Sequence, residues 1–206
     1  MRCNVNKGDN GSDRSKVDTE IVKLHAAGKR ERAMRLFVHH YEERIYSLAW
    51  RMLHNYDDAL DASQEVLIQV DRSLAGFRGD SALSTWVYSL ASRVCLGYCK
   101  KHGGRERSRE LLEPMAVLEV LRAKHGQEPE ILCEARHRER LIEEALVRLP
   151  EHLRIVVILH DMDGLKSPEI ARILDQSVAA VKSSLYRGRT SLRSILIESG
   201  ECLDRR

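Results

Sequence analysis

Apolar residues that recur every three or four positions constrain this fold more than any other feature of the chain. Ala33, Phe37, Tyr41, Ile45, Leu48, Ala49 and Met52 fall on one face of a helix. Ala59, Ala62, Val66, Val70 and Leu74 repeat the spacing, and Val87, Leu90, Ala91, Val94 and Tyr98 repeat it again. Aromatics make up only 5% of the residues and charged side chains 32%, with few Gly and Pro, a balance that favours an all-α protein over a sheet. The 206 residues leave room for one large or two small domains.

Breakers divide the chain. Residues 1–17 are polar and aperiodic and are predicted to be a disordered lead-in. Asp18–Ala27 reads as a short helix ended by Gly28, and Asp57 and Asp58 favour a helix start by placing carboxylates at its positive end. Together with the segments above they predict a helical domain over 18–101. Residues 102–135, with Gly103, Gly104, Pro114, Gly126 and Pro129, read as a flexible linker. Periodicity resumes in a second domain, 136–198, followed by a tail at 199–206. In it Leu141, Ile142, Ala145, Leu146 and Leu149 precede Pro150, which suits the first position of a helix. Asp163 and Gly164 turn the chain, Ser167 and Pro168 read as an N-cap and first-turn pair, and Ser177 caps a final helix burying Val178, Val181, Leu185, Leu192 and Ile195. A short helix joined by a tight turn to a long, basic one makes a helix-turn-helix.

The net charge of +3 says little, but its distribution says more. Residues 72–109 carry eight basic against two acidic side chains, and 166–193 carry six against two, so the chain is built to touch a polyanion twice. On the last helix Lys182, Ser183, Tyr186, Arg187 and Thr190 lie opposite the buried stripe, where Arg grips guanine and Lys and Ser hold phosphates. Asp61 and Glu65 stand four apart with Gln64 beside them, an acidic face suited to basic groups on a partner.

Several chemistries find no support. No phosphate-cradling Gly loop, carboxylate pair in a credible pocket or nucleophile with an oriented base is found, so the chain does not read as an enzyme by itself. Cys95, Cys99 and His102 share a helical face at steps suited to zinc, but no fourth ligand accompanies them and packed thiols are the favoured reading, with no cofactor expected. Five cysteines without framework spacing read as reduced thiols, and no apolar run is long enough to insert in a membrane, which places the protein in the cytoplasm.

Asp58-Ala59-Leu60-Asp61-Ala62-Ser63-Gln64-Glu65-Val66, then Phe77-Arg78-Gly79-Asp80-Ser81 and Thr85-Trp86-Val87-Tyr88, followed by the helix-turn-helix, resemble the bacterial RNA polymerase sigma factors of the extracytoplasmic-function group. The likeness spans about residues 20–101 and 136–197. It implies a first domain that binds core RNA polymerase and opens the minus-ten element of promoter DNA, and a second that reads the minus-thirty-five element. By position it places Asp58, Asp61, Gln64 and Glu65 on the polymerase. It places Arg78, Asp80, Ser81, Ser84, Tyr88, Ser89, Ser92, Arg93 and Lys100 on minus-ten DNA, with the loop Arg78–Ser84 taking a flipped base, while Trp86 reads as core. Ser167, Lys182, Ser183, Tyr186, Arg187 and Arg189 fall on minus-thirty-five DNA, and an anti-sigma factor is an implied partner. The chain departs from the family pattern at Asp71, where a large apolar residue is common, at Arg93, where Asn is frequent, and at Ala179-Ala180, in place of Gly-Thr. The competing reading is a helix-turn-helix repressor or activator that is not a polymerase subunit, which leaves the first domain and its Gly-hinged loop unexplained.

Overall fold

The computed structural model describes residues 11–102 and 140–198. Every regular element among them is helical. The lead-in up to residue 10, the linker after His102 and the tail from 199 lie outside the described residues.

Helix α1, Gly11–Ala26, starts earlier than expected, inside the stretch read as a disordered lead-in. It ends where Gly28 adopts φ +73°, and Ile21 and Asp18 tie it down. Ile21 is wholly buried, and the Tyr41 hydroxyl donates to Asp18 Oδ1 at 2.5 Å. Helix α2, Arg30–Leu53, buries the predicted stripe from Ala33 to Met52. It also buries a second face, Tyr46, Trp50 and Leu53, that a single amphipathic stripe does not require. It stops at His54, which is left-handed at φ 49°.

Helix α3, Tyr56–Ser73, is capped by Asn55, whose side chain accepts from the Asp58 amide at 2.9 Å. Asp57 and Asp58 sit in its first turn, where the helix dipole favours them. A 3-10 turn, Leu74–Gly76, leads into the loop before α4, Leu83–His102. Asp71, polar where the family pattern is apolar, reaches α2: Arg30 Nε donates to its Oδ1 at 2.9 Å and Arg30 Nη2 to its Oδ2 at 2.5 Å. This bidentate ion pair lies on the surface, with 61% and 37% of the two side chains exposed, and joins the end of α3 to the start of α2.

In the second unit residues 140–147 form helix α5. Pro150 flanks α6, Glu151–Val157, from just outside its first turn and not from inside it. The helix widens into a π-helical turn, Ile158–Met162, closed by the Asp163 amide on the Ile158 carbonyl at 3.0 Å. Helix α7, Ser167–Leu174, is preceded by Lys166 at the cap position, and Ser167 is its first residue and not its cap. Glu169 Oε2 accepts from the Lys166 amide at 2.7 Å and so closes the helix start. Asp175, left-handed at φ 52°, makes the tight turn into α8, Val178–Glu198. Ser177 caps α8 as expected, accepting from the Ala180 amide at 3.1 Å. Val181 and Leu185 are buried, Leu192 and Ile195 are half-buried, and Val178 is exposed because it lies in the first turn, beyond the reach of α6.

Helix α8 lies against α6 at Gly188. A Cβ there would stand 2.7 Å from Val157 Cγ2 and 3.4 Å from the Leu153 carbonyl oxygen. Alanine is the better helix former by about 1 kcal/mol, but overpacking a buried methyl costs about 1–3 kcal/mol. Gly188→Ala is therefore expected to lower stability, and Val157→Ala in the same chain should recover part of the loss. Urea unfolding of the two variants checks this. A stabilised Gly188→Ala protein would mean that the helices separate without cost.

The two units pack directly on one another. α4 has neighbours on three sides, α2 and α3 of its own unit and α7 of the other, and one continuous apolar core runs through both.

Candidate nucleic-acid and polymerase interface

Three surfaces carry the residues singled out above. The first is the outer face of α3. Asp61, Gln64 and Glu65 are exposed and Asp58 is half-buried, so the helix presents them together, and Leu60 and Ile68 add apolar area to the same exposed side. Glu65 is held in place: Gln69 Nε2 donates to its Oε1 at 3.0 Å. Tyr98 at the end of α4 faces the same carboxylates. Burial first, then the charges of Glu65, Asp61 and Asp58, push its hydroxyl above the usual tyrosine value, and Glu65 takes part as a hydrogen-bond partner. Gln69 and Tyr98 were not singled out as site residues. The signal for Gln69 was its place four residues after Glu65; Tyr98 reads locally as one more apolar position.

The second surface is the loop and outer side of α4. Phe77 and Trp86 pack at 5.5 Å between ring centroids and close the base of the loop, which agrees with Trp86 as a packing residue. Gly79 has φ +78°, a backbone that L side chains rarely adopt, and the bend turns Arg78 and Asp80 into solvent. Ser81 and Ser84 are half-buried beside them. Along α4 the steps of four and seven put Ser89, Arg93 and Lys100 on one open side, with Arg93 and Lys100 exposed. Tyr88 and Ser92 are placed differently. Tyr88 lines a narrow gap against Tyr41, Arg44 and Leu48 of α2, and Ser92 is 1% exposed. The spacing puts Ser92 on the outer face, whereas the structure buries it: a helix packed on three sides leaves only one strip open.

The third surface is α8. Lys182, Ser183, Arg187 and Thr190 are exposed, and Tyr186 is the most exposed large apolar side chain among the described residues at 75%. Ser167 is half-buried at the start of α7. Arg189 is engaged within its own unit. Its Nε donates to Asp161 Oδ2 at 2.9 Å, its Nη2 pairs with Asp161 Oδ1, and His160 Nδ1 lies 3.2 Å away. Partial burial opposes ionisation of the Asp161 carboxyl, but the hydrogen bonds and charges of Arg189 and His160 outweigh it and hold its pKa below the usual value. The π-helical turn is what swings His160 and Asp161 toward α8.

Cys95 is buried and burial pushes its thiol above the ordinary range, as expected of a packed side chain. Cys99 is half-buried with Sγ 3.8 Å from the Met52 carbonyl oxygen.

Two family models match separate parts of the chain. Residues 37–105 match Sigma-70 region 2, and residues 139–192 match Sigma-70, region 4. The chain is 32% identical over 164 residues to the ECF RNA polymerase sigma-E factor of Escherichia coli K12, covering 79% of this chain and 85% of that protein. It is 29% identical over 183 residues to the RNA polymerase sigma-H factor of Pseudomonas aeruginosa, covering 87% of this chain and 93% of that one. Among solved structures it resembles CnrH in complex with the cytosolic domain of CnrY, with a TM-score of 0.63 at 20% identity over 88% of this chain and 98% of that one. It also resembles the sigma factor RpoE in complex with the anti-sigma factor NepR from Bartonella quintana, with a TM-score of 0.61 at 18% identity over 83% and 98%.

Proposed function

The chain belongs to the extracytoplasmic-function group of RNA polymerase sigma factors and directs transcription initiation, and on that premise we propose how its surfaces divide the work. One observation carries the division: an exposed acidic face on α3 and an exposed basic face on α8 stand on different units of one chain. Asp58, Asp61, Gln64 and Glu65 meet basic helices of core RNA polymerase, where opposite potentials fix orientation and speed association. The loop around Gly79 offers short polar groups and Arg78 to an unstacked base of the minus-ten element, while Ser89, Arg93 and Lys100 follow the backbone of the opened strand. Lys182, Ser183, Tyr186 and Arg187 enter the major groove at the minus-thirty-five element. Arg189 serves chiefly to hold α8 on the π-helical turn.

The protein acts as a regulatory initiation subunit of the enzyme it joins. We place it in the cytoplasm because the polymerase it joins works there. No described helix is long and apolar enough to cross a membrane. An anti-sigma factor is a partner on this reading, in keeping with the complex of RpoE with NepR.

Footprinting of the chain bound to core polymerase on promoter DNA tests the assignment. Arg187→Ala should cost about 1–3 kcal/mol and relax preference at one upstream base pair, whereas Lys182→Ala should weaken all sequences alike and reduce the salt slope by about 1. Unaltered upstream protection in both variants would remove α8 from the promoter. Exchanging residues 78–84 for the loop of a related sigma factor should change the preferred downstream base, read by permanganate reactivity of unpaired thymines, with upstream protection unchanged.

A further inference from the structure

The loop that carries Arg78 and Asp80 hangs between two buried leucines, Leu74 and Leu83. Leu83 opens α4, a helix packed on three sides. Leu74 depends on the end of α3, where the last carbonyls are taken up in turn. The Val70 carbonyl accepts from the Leu74 amide, and the Gln69 carbonyl accepts from the Ser73 hydroxyl. The Asp71 carbonyl accepts from Arg30 Nη2 at 3.4 Å, so this donor comes from another helix. The same guanidinium grips the Asp71 carboxylate twice, from Nε and from Nη2. The Arg30 hydrogen bond, and behind it the charges of Arg30, His25 and Arg72, outweigh slight desolvation and hold the Asp71 carboxyl below its usual pKa. His25 belongs to the last turn of α1, which packs against both α2 and the 3-10 turn itself. Arg30 and α1 both precede residue 37, where the match to Sigma-70 region 2 begins.

We propose that Arg30 and Asp71 are a positioning pair for the minus-ten loop: by tying the end of α3 to the start of α2 they hold the 3-10 turn in one place against α1, and with it the loop that receives the unstacked base. The proposal rests on the sigma-factor reading for the DNA that the loop serves, and on the pair itself for the loop's placement. An exposed ion pair adds little to global stability, so breaking this one should leave the fold intact. What it supplies is local. Two contacts on the carboxylate and one on the carbonyl hold the guanidinium in one plane, so the last turn of α3 cannot fray without losing all three. Only the turn Leu74–Gly76 lies between that end and the loop, closed by the Phe77 amide on the Leu74 carbonyl at 3.1 Å. Base capture is favoured when the receiving groups are ordered beforehand, since order already present need not be imposed by binding. The pair thus acts on Arg78, Asp80 and Ser81 without touching DNA.

Breaking the pair should loosen the loop in the free chain and impair strand opening in the complex, and exchanging the two charges should repair both. In hydrogen–deuterium exchange of the full chain, Arg30→Gln is expected to speed exchange of amides 72–82 by about five-fold, with amides 60–70 unchanged. With core polymerase at saturation, the same variant should lower permanganate reactivity of the unpaired minus-ten thymines by about five-fold and relax preference for the captured base. Affinity for core and protection of the upstream element should stay at the wild-type level. Arg30→Asp alone sets two carboxylates together and should be the most impaired. Arg30→Asp with Asp71→Arg should return both signals to within about two-fold of wild type. That exchange also suits both helix dipoles, with an acid in the first turn of α2 and a base in the last turn of α3. Unchanged exchange at 72–82 in Arg30→Gln, opening equal to wild type, or failure of the charge exchange to restore both signals would overturn the proposal. So would a loss of core affinity, upstream protection and opening in equal proportion, which marks a merely structural role. A wild-type chain that opens no promoter with core would count against the sigma-factor reading instead, while amide exchange in the free chain still decides whether the pair holds the loop.

Discussion

Replacing both Asp61 and Glu65 with lysine is expected to weaken binding to core RNA polymerase on the order of 100-fold, about 2.8 kcal/mol at 1.4 kcal/mol per decade. Both carboxylates are exposed on α3, so their removal leaves the apolar core untouched. Charge reversal also converts attraction into like-charge repulsion, which costs more than truncation. The loss should be smaller at high salt, because exposed charges are screened beyond about 10 Å at 0.1 M. Tyr98 and Gln69 bear on the same contact by positioning Glu65, so Gln69→Ala should give a milder version of the same defect. Surface-plasmon titration of core against the variants measures it, with helical content as the control. Equal affinity for wild type and the double reversal would place the polymerase contact elsewhere.

The second large effect concerns stability. Arg154 stands between Leu153 and Ile155, and no local pattern in the sequence marks it. In the structure its guanidinium donates to three backbone carbonyls, of Met52, Val147 and Leu149. Arg154→Ala removes these donors, leaves buried carbonyl oxygens without them at about 1–3 kcal/mol each, and opens a void. A loss of about 3–5 kcal/mol is expected, with a fall in Tm of roughly 6–20 °C for a chain of this size. Arg154→Lys keeps a charge but cannot span three acceptors from one planar fork, and should recover less than half. Thermal unfolding by circular dichroism provides the check, and a change within about 0.5 kcal/mol would show that the bonds to the carbonyls are replaceable by water.

Local rules reached much of this fold. The helical stripes of α2, α3 and α4 are buried nearly as their spacing implies, since a helix facing one core needs only period and amphipathicity. The turn at Asp163 and Gly164 and the cap at Ser177 follow equally from short-range chemistry. What the spacing could not show is the second buried face of α2 and the three-sided packing of α4, because a helix that serves two neighbours loses the polar side that marks amphipathicity. Ser92 was assigned to DNA for that reason: a small polar side chain suits either an outer face or a tight contact, and only its neighbours decide. Gly188 likewise looks like a weakness in a helix until Val157 is seen against it. At the site, the exposed positions of Asp61, Glu65, Lys182, Tyr186 and Arg187 were legible because surface charge needs no partner. Arg189 was not, since its partner Asp161 is 28 residues away in sequence and reaches it through a π-helical turn with no sequence signature.

Reconstituted transcription tests the central claim most directly. Core RNA polymerase lacking any sigma factor is mixed with the purified chain and a DNA fragment bearing promoters recovered by transcript mapping after overexpression. The account predicts run-off transcripts of defined start site that appear only when both proteins are present and that disappear with the Asp61 and Glu65 reversal. Sequence-specific binding of the chain alone to operator DNA, with no initiation when core is added, would contradict it.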